Sequence, residues 1–199
     1  MTAKELLTIA KNEIGTKESP ANSNNVKYNT WIYGKEVTGS AYPWCAAFVS
    51  WCFRNAQGLC PKTASCLNML SWFEKNNQVV KNPKPGDIVF FKYSTNSRRT
   101  NHVGIVESVD GYTINTIEGN TSSISADNGG KVLRRKRKTN IVAFARPKYT
   151  DEVKPNIEAV AREVIDGKWG SGNDRRQRLE RAGYNYREVQ DKVNEILKR

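Results

Sequence analysis

The chain has 199 residues, of which 38% are hydrophobic and 26% charged, a balance typical of globular proteins and not of disordered ones. This length suits one well-packed domain with a small appendage. No apolar run is long enough for a transmembrane helix, and the start at Met1–Leu7 resembles a helix and not a signal peptide, so we expect synthesis in the cytoplasm and no membrane insertion.

The net charge of +12 is unevenly divided along the chain. Residues 1–150 hold 21 Lys and Arg against 10 Asp and Glu, whereas residues 151–199 hold 11 against 10. The basic part indicates an anionic partner, either nucleic acid or the phosphate and carboxylate groups of a cell envelope. The run Lys131–Lys138 lacks interleaved aromatic residues and any nucleic-acid-binding motif, so we favour a solvated basic strand and expect no specific nucleic acid.

Helix signals in the first half of the chain predict three helices, near residues 2–14, 43–57 and 65–75. Thr2 and Glu5 have the spacing of a capping box for the first helix, and Pro43 suits the first position of the second. The polar stretch 16–42 predicts a long irregular segment.

The pattern changes to strands after residue 86. Runs rich in β-branched and aromatic residues, separated by turn residues, lie at 87–93, 102–109, 113–118, 131–138 and 141–146. Helices followed by an antiparallel meander predict an α+β domain, in which N-terminal helices pack on an antiparallel sheet.

The last part of the chain predicts a separate small domain. Apolar residues from Ile157 to Ile165 recur at helical spacing, and two further helices are expected near 173–182 and 186–197. We therefore divide the chain into an α+β domain at 1–148, a polar linker at 149–155 and a three-helix module at 156–199.

Cys45 is the strongest candidate nucleophile. It lies at about the third position of the second predicted helix, where unpaired N–H groups and the positive end of the helix dipole stabilise a thiolate. Cys52, Cys60 and Cys66 are interpreted as small buried hydrophobic residues. None of the four cysteines forms a C-x-x-C pair and there is one histidine, so no zinc site is predicted. A disulfide framework is not expected in a protein of this size that is made in the cytoplasm.

A cysteine nucleophile needs a base, and the chain has one histidine, His102, at the start of a predicted strand. A third group should orient its ring, and Glu118 and Asn120 are two suitable acceptors on one face of the next strand. A two-residue loop at Asp110-Gly111 would turn both away from His102, so we predict a three-residue loop or one β-bulge.

The residues around these positions resemble the CHAP domain, a family of papain-like amidases and endopeptidases of peptidoglycan. The matching motifs, which occur in the family's order, are Trp44–Trp51, Pro85–Phe90, His102–Val106 and Ile117–Asn120. The resemblance implies Cys45 as nucleophile, His102 as base, Glu118 as the third member and Asn120 as a supporting polar group. Some members carry an acidic calcium loop before the cysteine, but the stretch 21–25 lacks the Asp-x-Asp pattern, so we expect no metal and no cofactor.

The tail resembles the CW-seven cell-wall-binding repeat over nearly all of residues 156–199. The resemblance implies binding to the glycan–peptide core of peptidoglycan. Trp169 and Tyr186 are candidates for stacking on sugar rings, although both are also expected anchors of a small helical bundle. Arg175 and Gln190 are candidate hydrogen-bond donors to the ligand.

Together these features predict a phage or prophage endolysin that cleaves an amide of the stem peptide or cross-bridge through a thioester. Its expected partners are peptidoglycan, anionic wall polymers that meet the basic domain, and a holin that releases it from the host cytoplasm. Two alternatives stay open: a related NlpC-like endopeptidase with a different third residue, and a non-catalytic protein that binds cell wall or nucleic acid.

Overall fold

A computed structural model of the chain describes residues 1–93, 95, 99–125, 128–150, 156–182 and 184–198. The chain divides between residues 150 and 151 into two units, and each unit has its own buried apolar cluster. Within the predicted linker at 149–155, positions 151–155 lie outside the described residues.

Four helices belong to the first unit: α1 (Ala3–Asn12), α2 (Lys27–Tyr33), α3 (Cys45–Asn55) and α4 (Cys66–Lys75). The capping box predicted for α1 is confirmed, because the Glu5 N–H donates to Thr2 Oγ1 at 3.1 Å and the Thr2 N–H donates to Glu5 Oε2 at 2.7 Å.

The irregular segment predicted at 16–42 is wrong in part, because α2 lies within it. Its residues have modest helix propensity, so the sequence pattern gives little signal for a helix there. Packing supplies the stability instead: Tyr28 is fully buried, and its ring contacts the aromatic rings of Trp44, Phe48 and Trp51.

Six strands form one antiparallel sheet in the order β1-β6-β2-β3-β4-β5. Their bounds are β1 (Val79–Val80), β2 (Ile88–Phe91), β3 (His102–Asp110), β4 (Thr113–Thr121), β5 (Lys131–Arg137) and β6 (Ile141–Ala145). The predicted meander is confirmed from β2 to β5. The last strand departs from it, since β6 returns to the other edge and lies between β2 and the short strand β1, which the sequence pattern did not indicate.

The two faces of the sheet carry different apolar clusters, because successive side chains of a strand point to opposite sides. Val103, Ile105 and Ile117 belong to the core that also contains α3. Phe91 and Val106 belong to a second cluster. The α+β architecture with helices packed on an antiparallel sheet is thus confirmed.

The β3–β4 hairpin contains the predicted irregularity. Asp110 pairs with Thr113, which leaves Gly111 and Tyr112 as a two-residue turn, one position later than the turn considered above. The register then shifts by one residue between Val106 and Ser108, so a β-bulge is present at Glu107.

The second unit contains three helices, α5 (Ile157–Ile165), α6 (Gly172–Arg181) and α7 (Tyr186–Leu197), as predicted. Their contact surface is apolar and consists of Val160, Ala161, Val164, Leu179, Val189 and Val193. None of the seven helices in the described parts of the chain has both the length and the apolar run that a membrane crossing needs.

Candidate active site

Cys45 is the first residue of α3, two positions nearer the helix start than predicted. The N-cap residue, Trp44, provides no side-chain cap for the N–H groups of the first turn. Cys45 is 2% exposed and is followed by two buried alanines, Ala46 and Ala47, which keep bulk away from the thiol.

His102 and Glu118 are joined by a buried hydrogen bond. The Nε2 atom of His102, the first residue of β3, lies 2.8 Å from Oε2 of Glu118 on β4. Both side chains are fully buried. The bulge at Glu107 produces this contact, because beyond it Ile105 pairs with Ile117, a register that places Glu118 beside Gly104 and on the face of His102.

The other ring nitrogen of His102, Nδ1, is buried and makes no hydrogen bond of ordinary geometry among the described residues. It is the nitrogen left for the Cys45 thiol, which acts electrostatically on the ring. The thiol also lies 4.0 Å from the carbonyl oxygen of Asn101, the residue before His102. The end of β3 and the start of α3 therefore meet at the reactive groups.

Arg137 and Thr116 hold the Glu118 carboxylate in place through hydrogen bonds. Arg137 Nε donates to Glu118 Oε1 at 2.8 Å, a second guanidinium nitrogen donates to Oε2, and the Thr116 hydroxyl donates to Oε1. The Arg137 guanidinium also lies 5.4 Å and 5.3 Å from the ring centroids of Phe91 and Tyr93. The centroids of the same two rings lie about 6 Å from that of the imidazole, so both rings are near the His102 imidazole as well as the Arg137 guanidinium.

The ionisation of the site follows from these contacts. The pKa of the Cys45 thiol is held well below its usual range, first by the neighbouring Cys66 thiol and then by His102, against the effect of burial. Burial alone would lower the pKa of His102, but Cys45 and Glu118 raise it to about 9. Burial alone would raise the pKa of Glu118, but Arg137 and His102 lower it to about 2. A thiolate, an imidazolium and a carboxylate thus coexist at neutral pH.

The other three cysteines lie in two different kinds of environment. Cys52 is fully buried and Cys60 partly so, and burial raises the pKa of both thiols, in agreement with their interpretation as small hydrophobic residues. Cys66 is also buried, yet its sulfur lies 3.4 Å from that of Cys45. The sequence distance of 21 residues gave no indication of this contact.

Asn120 is the predicted site residue that the structure does not join to the others. It is fully buried with a left-handed backbone (φ 54°), and its Oδ1 accepts from the Gly130 N–H at 3.3 Å. Its amide nitrogen has no hydrogen-bond partner among the described residues. The Asn120 side chain therefore supports the neighbouring loop.

Arg137 is the site residue that sequence reasoning missed. The sequence pattern includes Arg137 in the basic run and predicts a solvated strand, a description that does fit the exposed Arg134 and Lys136. The strand alternation contained the missing signal, because residues 133, 135 and 137 share the face that carries Glu118.

The candidate wall-binding residues of the second unit are half-buried. Trp169 packs against the apolar cluster and donates its ring N–H to Glu163 at 2.8 Å, and Tyr186 packs against the same cluster. Arg175 donates to the Gly170 carbonyl oxygen at 3.0 Å, and Gln190 donates to Asn194 at 3.1 Å. All four are thus held in place by their own unit.

No metal centre is indicated among the described residues, since no three His, Cys, Asp or Glu side chains are grouped so as to hold an ion. Fold and donor groups together define the class of site: a thiol at a helix start, an imidazole and a carboxylate on an antiparallel sheet, which is the nucleophile–base–orienter arrangement.

Comparison with known families agrees with this class. Residues 37–120 match the model of the CHAP domain, and residues 158–197 match the model of the CW_7 repeat. The chain therefore carries a CHAP domain followed by a CW_7 repeat, and both resemblances noted above are confirmed. The CHAP match contains Cys45, His102, Glu118 and Asn120 and ends before β5, so Arg137 lies outside it.

Individual relatives are similar over parts of the chain. The lysozyme of Streptococcus phage Cp-7 is 55% identical over 41 residues, which are 21% of this chain and 12% of the lysozyme. The crystal structure of Ly7917 has a TM-score of 0.47 at 19% identity, over 74% of this chain and 62% of that one. The structure of Ly7917 with the hydrolyzing product of MDP has a TM-score of 0.45, also at 19% identity, over 73% and 63% of the two chains.

Proposed function

We propose that this chain is a peptidoglycan hydrolase of the endolysin type, which cleaves an amide bond of the stem peptide or cross-bridge with Cys45 as nucleophile. The observation that carries the proposal is a series of three buried groups, the Cys45 thiol, the His102 imidazole and the Glu118 carboxylate. The imidazole and the carboxylate are 2.8 Å apart, and all three residues lie within the part of the chain matched to the CHAP domain. A thiol with a lowered pKa beside a base is a nucleophile at neutral pH.

In the resting site His102 holds the proton taken from the Cys45 thiol, and in the first half of the reaction the thiolate attacks the amide carbonyl carbon. The negative charge that develops on the carbonyl oxygen is stabilised by backbone N–H groups, for which the uncapped start of α3, including the Cys45 N–H, is suitably placed. His102 then protonates the leaving amine, which departs and leaves a thioester on Cys45.

In the second half, His102 removes a proton from water, and the resulting hydroxide attacks the thioester carbon. The carboxylate product leaves, and the Cys45 thiolate and the His102 imidazolium are regenerated. Glu118 keeps Nε2 of the ring engaged throughout, so that Nδ1 faces the reacting atoms. Glu118 acts in this scheme as a positioning residue.

Targeting belongs to the second unit in this proposal. The CW_7 repeat would bind the glycan–peptide core of peptidoglycan, with Trp169, Arg175, Tyr186 and Gln190 as candidate contacts. The excess of basic residues in 1–150 favours contact with anionic wall polymers. The same proposal includes a cytoplasmic stage in the host and release through a holin before the protein acts on the wall.

Purified peptidoglycan tests the enzyme proposal. We expect the full chain to clear a suspension of cell walls, the Cys45→Ala variant to lose this activity, and the Cys60→Ala variant to retain it. Clearing by Cys45→Ala at the wild-type rate would exclude the cysteine mechanism, whereas a full chain that binds walls without clearing them would favour the non-catalytic alternative. A salt-sensitive shift of DNA by a protein that ignores peptidoglycan would favour nucleic-acid binding instead.

Mass spectrometry of the digest identifies the bond. An amidase separates L-alanine from muramic acid, whereas an endopeptidase, including the NlpC-like alternative, releases an amine within the stem peptide or the cross-bridge. Products whose glycan strands alone are cut would contradict cysteine amide hydrolysis altogether.

A further inference from the structure

Two cysteines that are far apart in the sequence meet at the site. Cys45 is the first residue of α3, Cys66 is the first residue of α4, and their sulfur atoms lie 3.4 Å apart. We propose that these two residues form a peroxide-reactive dithiol, in which oxidation of Cys45 is captured by Cys66 as a reversible disulfide. The effect of this step on activity rests on the proposed function, whereas the chemistry itself does not.

The geometry favours a bond between these two sulfurs. A disulfide has an S–S length of about 2.05 Å, so the two atoms must approach by about 1.4 Å from their present contact. Both cysteines are nearly buried, at 2% and 7% exposure, which leaves few alternative partners for an oxidised Cys45.

The two thiols are chemically unequal, as such a pair requires. Cys45 has the lowered pKa and is therefore the thiolate that attacks peroxide. The hydrogen bond between the Cys66 and Cys45 thiols contributes most to this lowering. Burial raises the pKa of the Cys52 and Cys60 thiols, which keeps both protonated and unreactive.

The reaction has two balanced steps. The Cys45 thiolate attacks one oxygen of hydrogen peroxide, the O–O bond breaks, and the products are a sulfenic acid on Cys45 and hydroxide; sulfur loses two electrons and peroxide gains them. The Cys66 sulfur then attacks the sulfenic sulfur, the S–O bond breaks, and the hydroxyl group leaves with the Cys66 proton as water.

The disulfide has a protective consequence. Without a second thiol, sulfenic acid proceeds with more peroxide to sulfinic and sulfonic acids, which ordinary thiols do not reduce. A Cys45–Cys66 disulfide stops the oxidation at a stage that an external dithiol reverses. The nucleophile is thereby switched off by peroxide and restored by reduction.

The test uses the full chain, hydrogen peroxide and peptide mapping. Trypsin cleavage after Arg54 and Lys62 separates Cys60 from Cys66, and fragmentation of the remaining peptide distinguishes Cys45 from Cys52. We expect a linked peptide pair containing Cys45 and Cys66, lighter by two hydrogen atoms, and wall clearing that is lost with peroxide and recovered with dithiothreitol.

Variants separate this role from simple packing. In Cys66→Ser and Cys66→Ala we expect no linked pair, conversion of Cys45 to sulfinic and sulfonic acids, and no recovery with dithiothreitol, whereas Cys60→Ala should behave as the wild type. Wild-type Cys45 that reaches sulfinic acid as fast as in Cys66→Ser, without a linked pair, would overturn the proposal. If the chain clears no peptidoglycan, the proposed function fails, but the linked peptide still decides the dithiol chemistry.

Discussion

Arg137 and Glu118 form a buried two-point ion pair on the neighbouring strands β5 and β4. Glu118 is fully buried and Arg137 is 7% exposed. A buried carboxylate needs a counter-charge, because the desolvation of a lone charge costs several kcal/mol. Arg137 therefore stabilises the ionised form of Glu118 beside the imidazole. Along the series Cys45, His102, Glu118 and Arg137, the charges are negative, positive, negative and positive.

Removal of Arg137 should destabilise the first unit. Because Arg137→Met leaves Glu118 buried without its counter-charge, we expect a loss of about 3–5 kcal/mol in the free energy of unfolding. Urea denaturation followed by tryptophan fluorescence measures this, since four of the five tryptophans lie within residues 1–150.

Arg134→Met is the matched control on the same strand. Arg134 also makes a two-point pair, with Glu107 at 2.8 and 3.1 Å, but its side chain is exposed, so its loss should cost about 1 kcal/mol or less. Equal costs for the two variants would contradict the role assigned to the buried pair.

The pH profile of wall clearing should report His102. Its pKa is raised to about 9, so the imidazolium persists to higher pH than usual and activity should fall as the pH rises through about 9. Glu118 is one of the groups that raise this pKa; hence Glu118→Gln should move the alkaline limb to lower pH and reduce kcat about a hundredfold or more.

Initial rates from about pH 5 to about pH 10 distinguish the outcomes. Glu107→Gln, which changes a carboxylate on β3 outside the site, should leave the limb in place. An unchanged alkaline limb in Glu118→Gln would show that the carboxylate does not act through the imidazole.

At Gly119, β4 approaches the start of α3 closely. A Cβ atom there would lie 2.6 Å from Phe48 Cβ and 2.8 Å from Trp44 Cζ3, so Gly119→Ala forces the helix and strand apart. We expect a loss of about 1–3 kcal/mol in unfolding free energy and a fall in activity, because α3 carries Cys45.

The control for Gly119 is Gly111→Asn in the β3–β4 turn. Gly111 has a φ of 54°, which asparagine tolerates, and a Cβ atom at this position would have no other atom within 4 Å. Urea denaturation should show little change for this variant. A Gly119→Ala protein as stable as the wild type would mean that α3 is not tightly held against β4.

The second unit should depend on Leu179. This side chain is fully buried in a core of few residues. Leu179→Ala should therefore lower the free energy of unfolding by about 2–5 kcal/mol, which is enough to unfold a module of this size. We expect co-sedimentation with cell walls to be lost while cleavage of a soluble stem-peptide substrate is retained.

Leu197→Ala removes a leucine that is 66% exposed and should leave wall binding intact. If Leu179→Ala unfolds the module, as shown by the loss of its helical circular dichroism, and wall binding persists, then targeting does not reside in this unit.

Much of the fold could be predicted from local patterns. Thr2 and Glu5 indicated the start of α1 through side-chain spacing alone, and alternation indicated β3 and β4. The helix α2 could not be predicted in this way, because Tyr28 is stabilised by rings from distant α3 and not by its own segment. The position of β6 beside β2 likewise follows from long-range pairing, which no local pattern records.

The site, like the fold, could be predicted from the sequence only in part. Cys45 and His102 could be proposed from their residue types and settings, and the register argument linked Glu118 to His102 through one predicted bulge. Cys66 and Arg137 could not, because each acts through a side-chain contact between elements whose relative placement depends on the whole domain.

The bulge at Glu107 also sets a rule for how this hairpin can vary. If strand pairing continued from the two-residue turn at Gly111-Tyr112 without a bulge, the register would be wrong by one residue at His102. The bulge corrects this register. An insertion or deletion of a single residue within β3 or β4, between His102 and Glu118, would therefore put their side chains on opposite faces, unless the bulge or the length of the turn changed with it. Length changes within these two strands are compatible with catalysis only in even steps, or in odd steps coupled to the bulge or to the turn.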